Sequence, residues 1–265
     1  MVEVVSDSSV IAQLVESHAR LERILDQIGP AGLGSPSACS EWTIGRVVAH
    51  IGSGAEIAQA ALATGVEGGS SQVDGDAMQS IWSAYDALDD AAATERAMAA
   101  NQSLLDAFMG LTPAQLNDVR VPFFTGPIPI STFAAFRLSE HAVHTWDVEV
   151  VNEPAAELDV AVAETIFNTV VMALVGRLAT VADLPSTALE VLLDSPERRL
   201  TLRLTDPVGL SEWSEDDSTD AVLTTTMPAL VRLVYGRLGP DQTPSSTIVT
   251  GPVTIADLRS MFQGF

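Results

Sequence analysis

The sequence predicts an α+β chain in two parts, four long helices followed by a smaller unit of strands and helices. Three observations predict it. Up to about residue 150, apolar side chains recur at three- and four-residue spacing in stretches near twenty residues long. The segment VNEPAAELD then breaks that pattern. Beyond it, ALEVLLDS and RLTLRLTD alternate apolar and polar residues at period two, as half-buried strands do. The expected division is therefore 1–153 and 154–265.

The first helix is read over residues 8–28, with Ile11, Leu14, Val15, Leu21, Ile24, Leu25 and Ile28 on its apolar face. Gly29-Pro30 should end it. His18, beside Arg20 and Glu22, reads as a solvated or edge histidine. The second helix follows SACSEW, with Thr43 as N-cap and Trp42 placed to staple onto Val47. His50 falls on its apolar side among Val47, Val48 and Ile51, and Gly54 leaves space one turn later. A third helical stretch runs Ala77 to Met109, with a break expected between Asp89 and Thr94. VPFFTGPIPIS, rich in proline, should cross the surface without regular helix. Ser131 or Thr132 is the expected cap of the fourth helix.

In the second part, one apolar helix is expected from Val160 to Ala182. Strands are expected in ALEVLLDS, RLTLRLTD, GLSEW and TIVTG. MPALVRLVYGRLGP reads as a helix with Pro228 near its start and Gly239-Pro240 after its end. PVTIADLRSMF reads as a closing helix.

The chain carries 35 acidic residues against 13 basic ones, all of them arginine, for a net charge of −22. That balance argues against nucleic acid or an anionic membrane as partner. The lack of lysine removes Schiff-base chemistry and a P-loop lysine. Cys39 is the single cysteine, so intrachain disulfides and multi-cysteine zinc sites are excluded. No base stands beside it in sequence, and it reads as inert. The N-terminus lacks the basic and apolar regions of a signal peptide, and the apolar run around Val170–Val175 is too short to span a bilayer. The expectation is a cytoplasmic protein, monomer or homodimer.

The chemistry concentrates in FAAFRLSEHAVHTWDVEV. On a helix, Glu140 and His144 lie four residues apart on one face, and Arg137 and Asp147 fall within about 60° of Glu140. The rest of the circumference is apolar, so these groups need partners or a bound ion. With His50, they would make a set of two imidazoles and one carboxylate, which suits zinc and leaves a coordination position open. His141 and His144 form a competing pair, but His141 sits about 100° from Glu140. A buried Glu–His pair compensated by Arg137 needs no metal and is the plain alternative. Asp147 could orient a ligand histidine or contact substrate. Arg237, at a helix C-terminus, is favoured there by the dipole regardless of function.

These residues carry a family resemblance. SACSEWTIGRVVAHI resembles the "C-x-x-W-[ST]-x-x-x-[LV]-x-x-H" opening of mycothiol-dependent maleylpyruvate isomerase-like proteins. LSEHAVHTWDVEV is similar to that family's "E-x-x-x-H-x-x-D" segment, and YGRLGP with TIVTGPVTIADL to the end of its C-terminal domain. The resemblance implies a DinB-type four-helix bundle with a sterol-carrier-protein-like second domain. It implies that His50, Glu140 and His144 bind a divalent metal, usually zinc. It also implies that Asp147 and Arg237 help hold thiol or substrate, with Arg232 a close rival for Arg237; Arg137 is a further candidate from the bundle. The thiol cosubstrate would be mycothiol and the partner a small organic molecule, in an isomerase or transferase. Two other activities fit the same features: a metal-dependent hydrolase, and a non-catalytic protein whose second domain holds an apolar ligand.

Overall fold

The computed structural model describes residues 7–39, 41–180 and 186–264. The N-terminal stretch weighed as a leader falls partly in residues 1–6, which lie outside them, as do Ser40 of the SACSEW motif and Ala182. The chain divides into two units, Met1–Ala156 and Glu157–Phe265.

The first unit is built on helices α1 (Asp7–Gly32), α2 (Ile44–Val66), α3 (Gly75–Asp86), α4 (Asp90–Met109), α5 (Pro113–Asp118) and α6 (Ile130–Glu149). Helix α1 packs on α6, and α2 packs on both α4 and α6. Gly52 allows the close approach of α2 to α4: a Cβ there would lie 2.4 Å from the Ala97 Cα. Thr43 caps α2 as expected, its side chain accepting from the Arg46 N–H. Two expectations shift. Gly29 takes φ 65°, ψ 169°, which ends the regular part of α1, but Pro30 opens one further turn. The third helical stretch breaks at Ala87–Asp89, slightly before the expected place, because Asp89 turns outward to cap α4 through the Ala92 N–H.

The proline-rich crossing is more ordered than its composition suggests. Strands β1 (Arg120–Val121) and β2 (Ile128–Pro129) pair antiparallel, and α6 starts directly from β2. Pro129 therefore occupies the N-cap position, with no side-chain cap, and neither Ser131 nor Thr132 takes that role.

The second unit holds a five-stranded sheet in the order β5-β4-β3-β6-β7. Its strands are β3 (Thr187–Asp194), β4 (Glu197–Leu204), β5 (Gly209–Glu212), β6 (Ala221–Thr225) and β7 (Ile248–Thr250). Strand β6 pairs parallel with β3 and is buried at every second residue. It was not expected from sequence. Helices α7 (Val160–Ile166) and α8 (Met172–Leu178) are joined by a turn of π-helix at Phe167–Val171. Val160–Leu178 has the length and mean hydropathy (1.5) of a membrane span. Its residues Val162, Ile166, Phe167, Val170 and Val171 are nonetheless buried within the described protein. Helix α9 (Met227–Val234) begins with Pro228 in its first turn and a Thr226 cap, and α10 (Ile255–Met261) opens with a Thr254–Asp257 capping box.

Candidate metal centre

Helix α6 is buried along most of its circumference, but Phe136, Glu140 and His144 are not. Spaced four residues apart, they form one half-exposed stripe. On α2 the matching stripe is His50, Gly54 and Ile57. The two stripes meet. His50 Nε2 lies 3.4 Å from Glu140 Oε2, and His144 Nε2 lies 3.9 Å from the same oxygen. The donor atoms of His50, Glu140 and His144 all fall within 4.8 Å of one another. Atoms that share one zinc ion at about 2.0–2.2 Å are held no more than about 4.4 Å apart, so both measured spacings fit a common ion. His144 Nδ1 is 2.9 Å from Asp147 Oδ2, which leaves Nε2 directed toward the carboxylate of Glu140. These residues fit a divalent metal by donor type and by spacing.

Trp42 bounds one end of this site. It keeps 38% of its surface exposed, and its ring centroid is 5.2 Å from that of His50 and 6.5 Å from that of His144. At the other end, Phe123 and Phe124 from the β1–β2 turn gather on Phe136, with centroids 4.7 Å and 6.3 Å away. The site is an acidic and imidazole floor between aromatic walls.

The electrostatics favour an ionised Glu140. Desolvation pushes its pKa up, but the hydrogen bond from His50, the nearby His144 and the Arg137 guanidinium together outweigh that and hold it at about 2. Arg137 is buried beneath, with Nη2 donating to the Ile51 carbonyl at 2.6 Å and to Asn101 Oδ1 at 2.9 Å. Burial lowers its pKa to about 10, against the opposing pull of Glu140 and Tyr85. Gly54 makes room for it: a Cβ there would stand 2.8 Å from Arg137 Nη1. The space expected beside the His50 ring is therefore taken by a guanidinium.

His18 is corrected by the structure. It is only 3% exposed, on the α1 face that meets α6, with its ring 5.7 Å from that of His141 in an edge-on arrangement. His141 is buried too and shares a 2.8 Å hydrogen bond with Ser17 Oγ. Burial lowers the pKa of both; Glu22 opposes it at His18, while Arg137 reinforces it at both. His141 is not among the convergent donors, in keeping with the preference for Glu140 and His144. Sequence had placed His18 by its charged neighbours, yet it lies on the same helical stripe as Leu14 and Leu21, which was the readable signal.

Cys39 also differs from expectation. His144 and Asp147 lie within 4.8 Å of its sulfur, so both a base and an acid stand beside it in space. In the second unit, Arg232 is buried, pairs with Glu157 at 2.6 Å and donates to the Gln242 carbonyl. Arg237 lies past the end of α9, after Gly236 with φ 69°, and is half-exposed, with Nη1 donating to the Tyr235 carbonyl at 2.9 Å. Of the two residues, Arg237 is the less buried.

Comparison with known proteins bears on the family and the fold. A family profile described as the mycothiol maleylpyruvate isomerase N-terminal domain matches residues 14–149. Crystal structures of a mycothiol-dependent maleylpyruvate isomerase, and of a histidine-to-alanine mutant of it, superpose with TM-scores of 0.67 at 16% identity. Each alignment covers 94% of this chain and 95% of the other, so the fold is shared along nearly the whole length. No curated protein matches. The matched residues make up more than half of the chain, and the chain belongs to the mycothiol maleylpyruvate isomerase N-terminal domain family.

Proposed function

We propose that this protein is a mycothiol-using isomerase in which His50, Glu140 and His144 hold a divalent ion. The donor chemistry, two imidazoles and a carboxylate, points to zinc. The observation that carries the reading is the convergence of those three donors within 4.8 Å on one half-exposed floor. When bound, zinc would supply a Lewis acid that lowers the pKa of a thiol toward neutral pH.

The chain's own residues prepare that chemistry. Asp147 accepts a hydrogen bond from the Nδ1–H of His144 and so favours the tautomer whose Nε2 lone pair faces the site. Glu140 stays ionised at working pH because His50, His144 and Arg137 surround it. Trp42 and Phe136 present apolar faces that limit water around a nucleophile. Arg237 is proposed to hold a carboxylate of the substrate, since a fixed guanidinium orients a carboxylate well; Asp147, expected from sequence as a possible substrate contact, is fully buried against His144 and acts on the site only through that ring. The residues proposed to hold the metal all lie within residues 1–153, and Arg237 lies within 154–265.

The substrate class is a small organic acid with a conjugated double bond, of the maleylpyruvate kind. Thiolate addition forms a C–S bond as the double bond opens, and rotation follows about the resulting single bond. Cleavage of the C–S bond restores the double bond and returns the thiol. The setting is proposed to be cytoplasmic. The test is turnover of maleylpyruvate by metal-loaded protein with and without mycothiol. Turnover should require both. A mycothiol-independent hydrolysis would reassign the site to metal-bound water, and thiol retained in the product would make the enzyme a transferase.

A further inference from the structure

The imidazole of His144 has two faces with different neighbours. Its Nε2 lies 3.9 Å from Glu140 and its Nδ1 2.9 Å from Asp147, and the ring belongs both to the cluster with His50 and Glu140 and to one with Cys39 and Asp147. The donor atoms of Cys39, His144 and Asp147 lie within 4.8 Å of one another, and both Cys39 and Asp147 are buried. The loop that carries Cys39 is also fixed. The Ala38 N–H donates to the Asp147 carbonyl at 3.0 Å, tying the loop to the last turns of α6. Ser37 Oγ donates to the carbonyls of Cys39 and Trp42 and accepts from the Cys39 N–H. The thiol is thus held against an imidazole and a carboxylate by bonds that do not depend on any ion.

We propose that Cys39, Asp147 and the Nδ1 edge of His144 form a second cation site, selective for thiophilic divalent ions. Thiolate sulfur sets the preference for soft ions, which the set on the other edge of the ring lacks. Binding exchanges protons for the ion: the Cys39 thiol and His144 Nδ1 each release one to solvent, and Asp147 turns from hydrogen-bond acceptor to ligand. The charges then balance. Glu140, Cys39, Asp147 and a bridging His144 imidazolate offer four negative charges to two divalent ions. An ion at this edge also removes the contact that orients His144, so a thiophilic metal would act on the reaction through the ring both sites share. The inference rests on the metal reading of His50, Glu140 and His144 only for the first ion.

The single cysteine makes the test clean, because any metal–thiolate absorbance must come from Cys39. Full-length protein loaded with one equivalent of zinc is titrated with cadmium, while ultraviolet thiolate charge-transfer absorbance and bound zinc and cadmium are followed. The expected result is one added equivalent of cadmium, a thiolate band, and zinc retained. Cys39→Ser should abolish both the band and the added cadmium while keeping the zinc. His50→Ala, prepared free of metal, should still give the thiolate band, which separates this site from the first. Absence of the band in the unsubstituted protein, loss of zinc in step with cadmium uptake, or equal cadmium uptake by Cys39→Ser would overturn the second site.

Discussion

Asp147→Asn is the substitution that most directly questions how the metal set is oriented. Asp147 is fully buried, and its Oδ2 is 2.9 Å from His144 Nδ1. Asparagine has almost the same shape, so the fold loses no volume. Two things change. The acceptor loses its charge, which weakens the pull on the Nδ1 proton and lowers the basicity of Nε2. The amide can also turn its NH2 toward Nδ1, which would place the ring proton on Nε2 and block the lone pair a metal needs. Removing such an outer partner costs about 10- to 100-fold in metal affinity, or about 1.4–2.7 kcal/mol. The folded protein without metal should lose much less, since asparagine keeps the volume of the side chain and a hydrogen bond to the His144 ring. Competition against a zinc chelator gives the affinity, and thermal melting of the metal-free protein gives the stability. A zinc affinity within twofold of the unsubstituted protein would refute this role for Asp147. So would a melting temperature that drops as far as the affinity does, because the damage would then be to the fold.

Other substitutions probe the surroundings. Gly54→Ala should destabilise the protein by about 1–3 kcal/mol in chemical denaturation, because its Cβ meets Arg137 Nη1 at 2.8 Å and displaces a hydrogen-bonded guanidinium. A gain in stability, as the helix propensity of alanine alone would give, would show that Arg137 has room to move. The buried His18 and His141 make stability depend on pH. Their folded pKa values lie below the ordinary value near 6.5, so the unfolded chain takes up protons first as pH falls. Stability should therefore be full above that value and decline below it, by up to about 1.4 kcal/mol per pH unit for each histidine. His18→Leu should flatten the profile between about pH 7 and 5, and an unchanged slope would contradict the assignment. Glu140 acts in a separate window, its contribution present above its ordinary value and lost as pH falls toward about 2. Arg237→Ala should keep metal and fold while turnover falls about tenfold to a hundredfold, the loss of one charge-assisted contact. Full turnover would leave Arg237 as a cation beyond α9 that bonds the Tyr235 carbonyl.

The convergence of His50, Glu140 and His144 was legible because helix periodicity is local. Glu140 and His144 share a face by spacing alone, and His50 was singled out as a polar residue on an apolar side. What sequence could not supply was the third dimension. Arg137 and Asp147 fall on the same nominal stripe as Glu140, yet the packing of α1 and α2 against α6 leaves them buried while Glu140 and His144 stay half-open. Cys39 looked inert because its neighbours come from the far end of α6. His18 was judged by adjacent charges rather than by the i, i+4 positions that pack with it. Strand β6 escaped because AVLTT runs straight into the Thr226 cap of α9, with no turn to mark its end. The short β1–β2 ladder was hidden by prolines that are tolerated at a sheet edge.

The central claim is that His50, Glu140 and His144 hold one divalent ion. Elemental analysis of protein purified without chelator, alongside His144→Ala judged folded by circular dichroism, tests it most directly. The account predicts about one zinc per chain in the unsubstituted protein and close to none in His144→Ala, which removes a donor whose Nε2 lies 3.9 Å from Glu140. Equal metal content in the two, or none in either, would contradict it and leave a hydrogen-bonded Glu–His pair on the floor of the cleft.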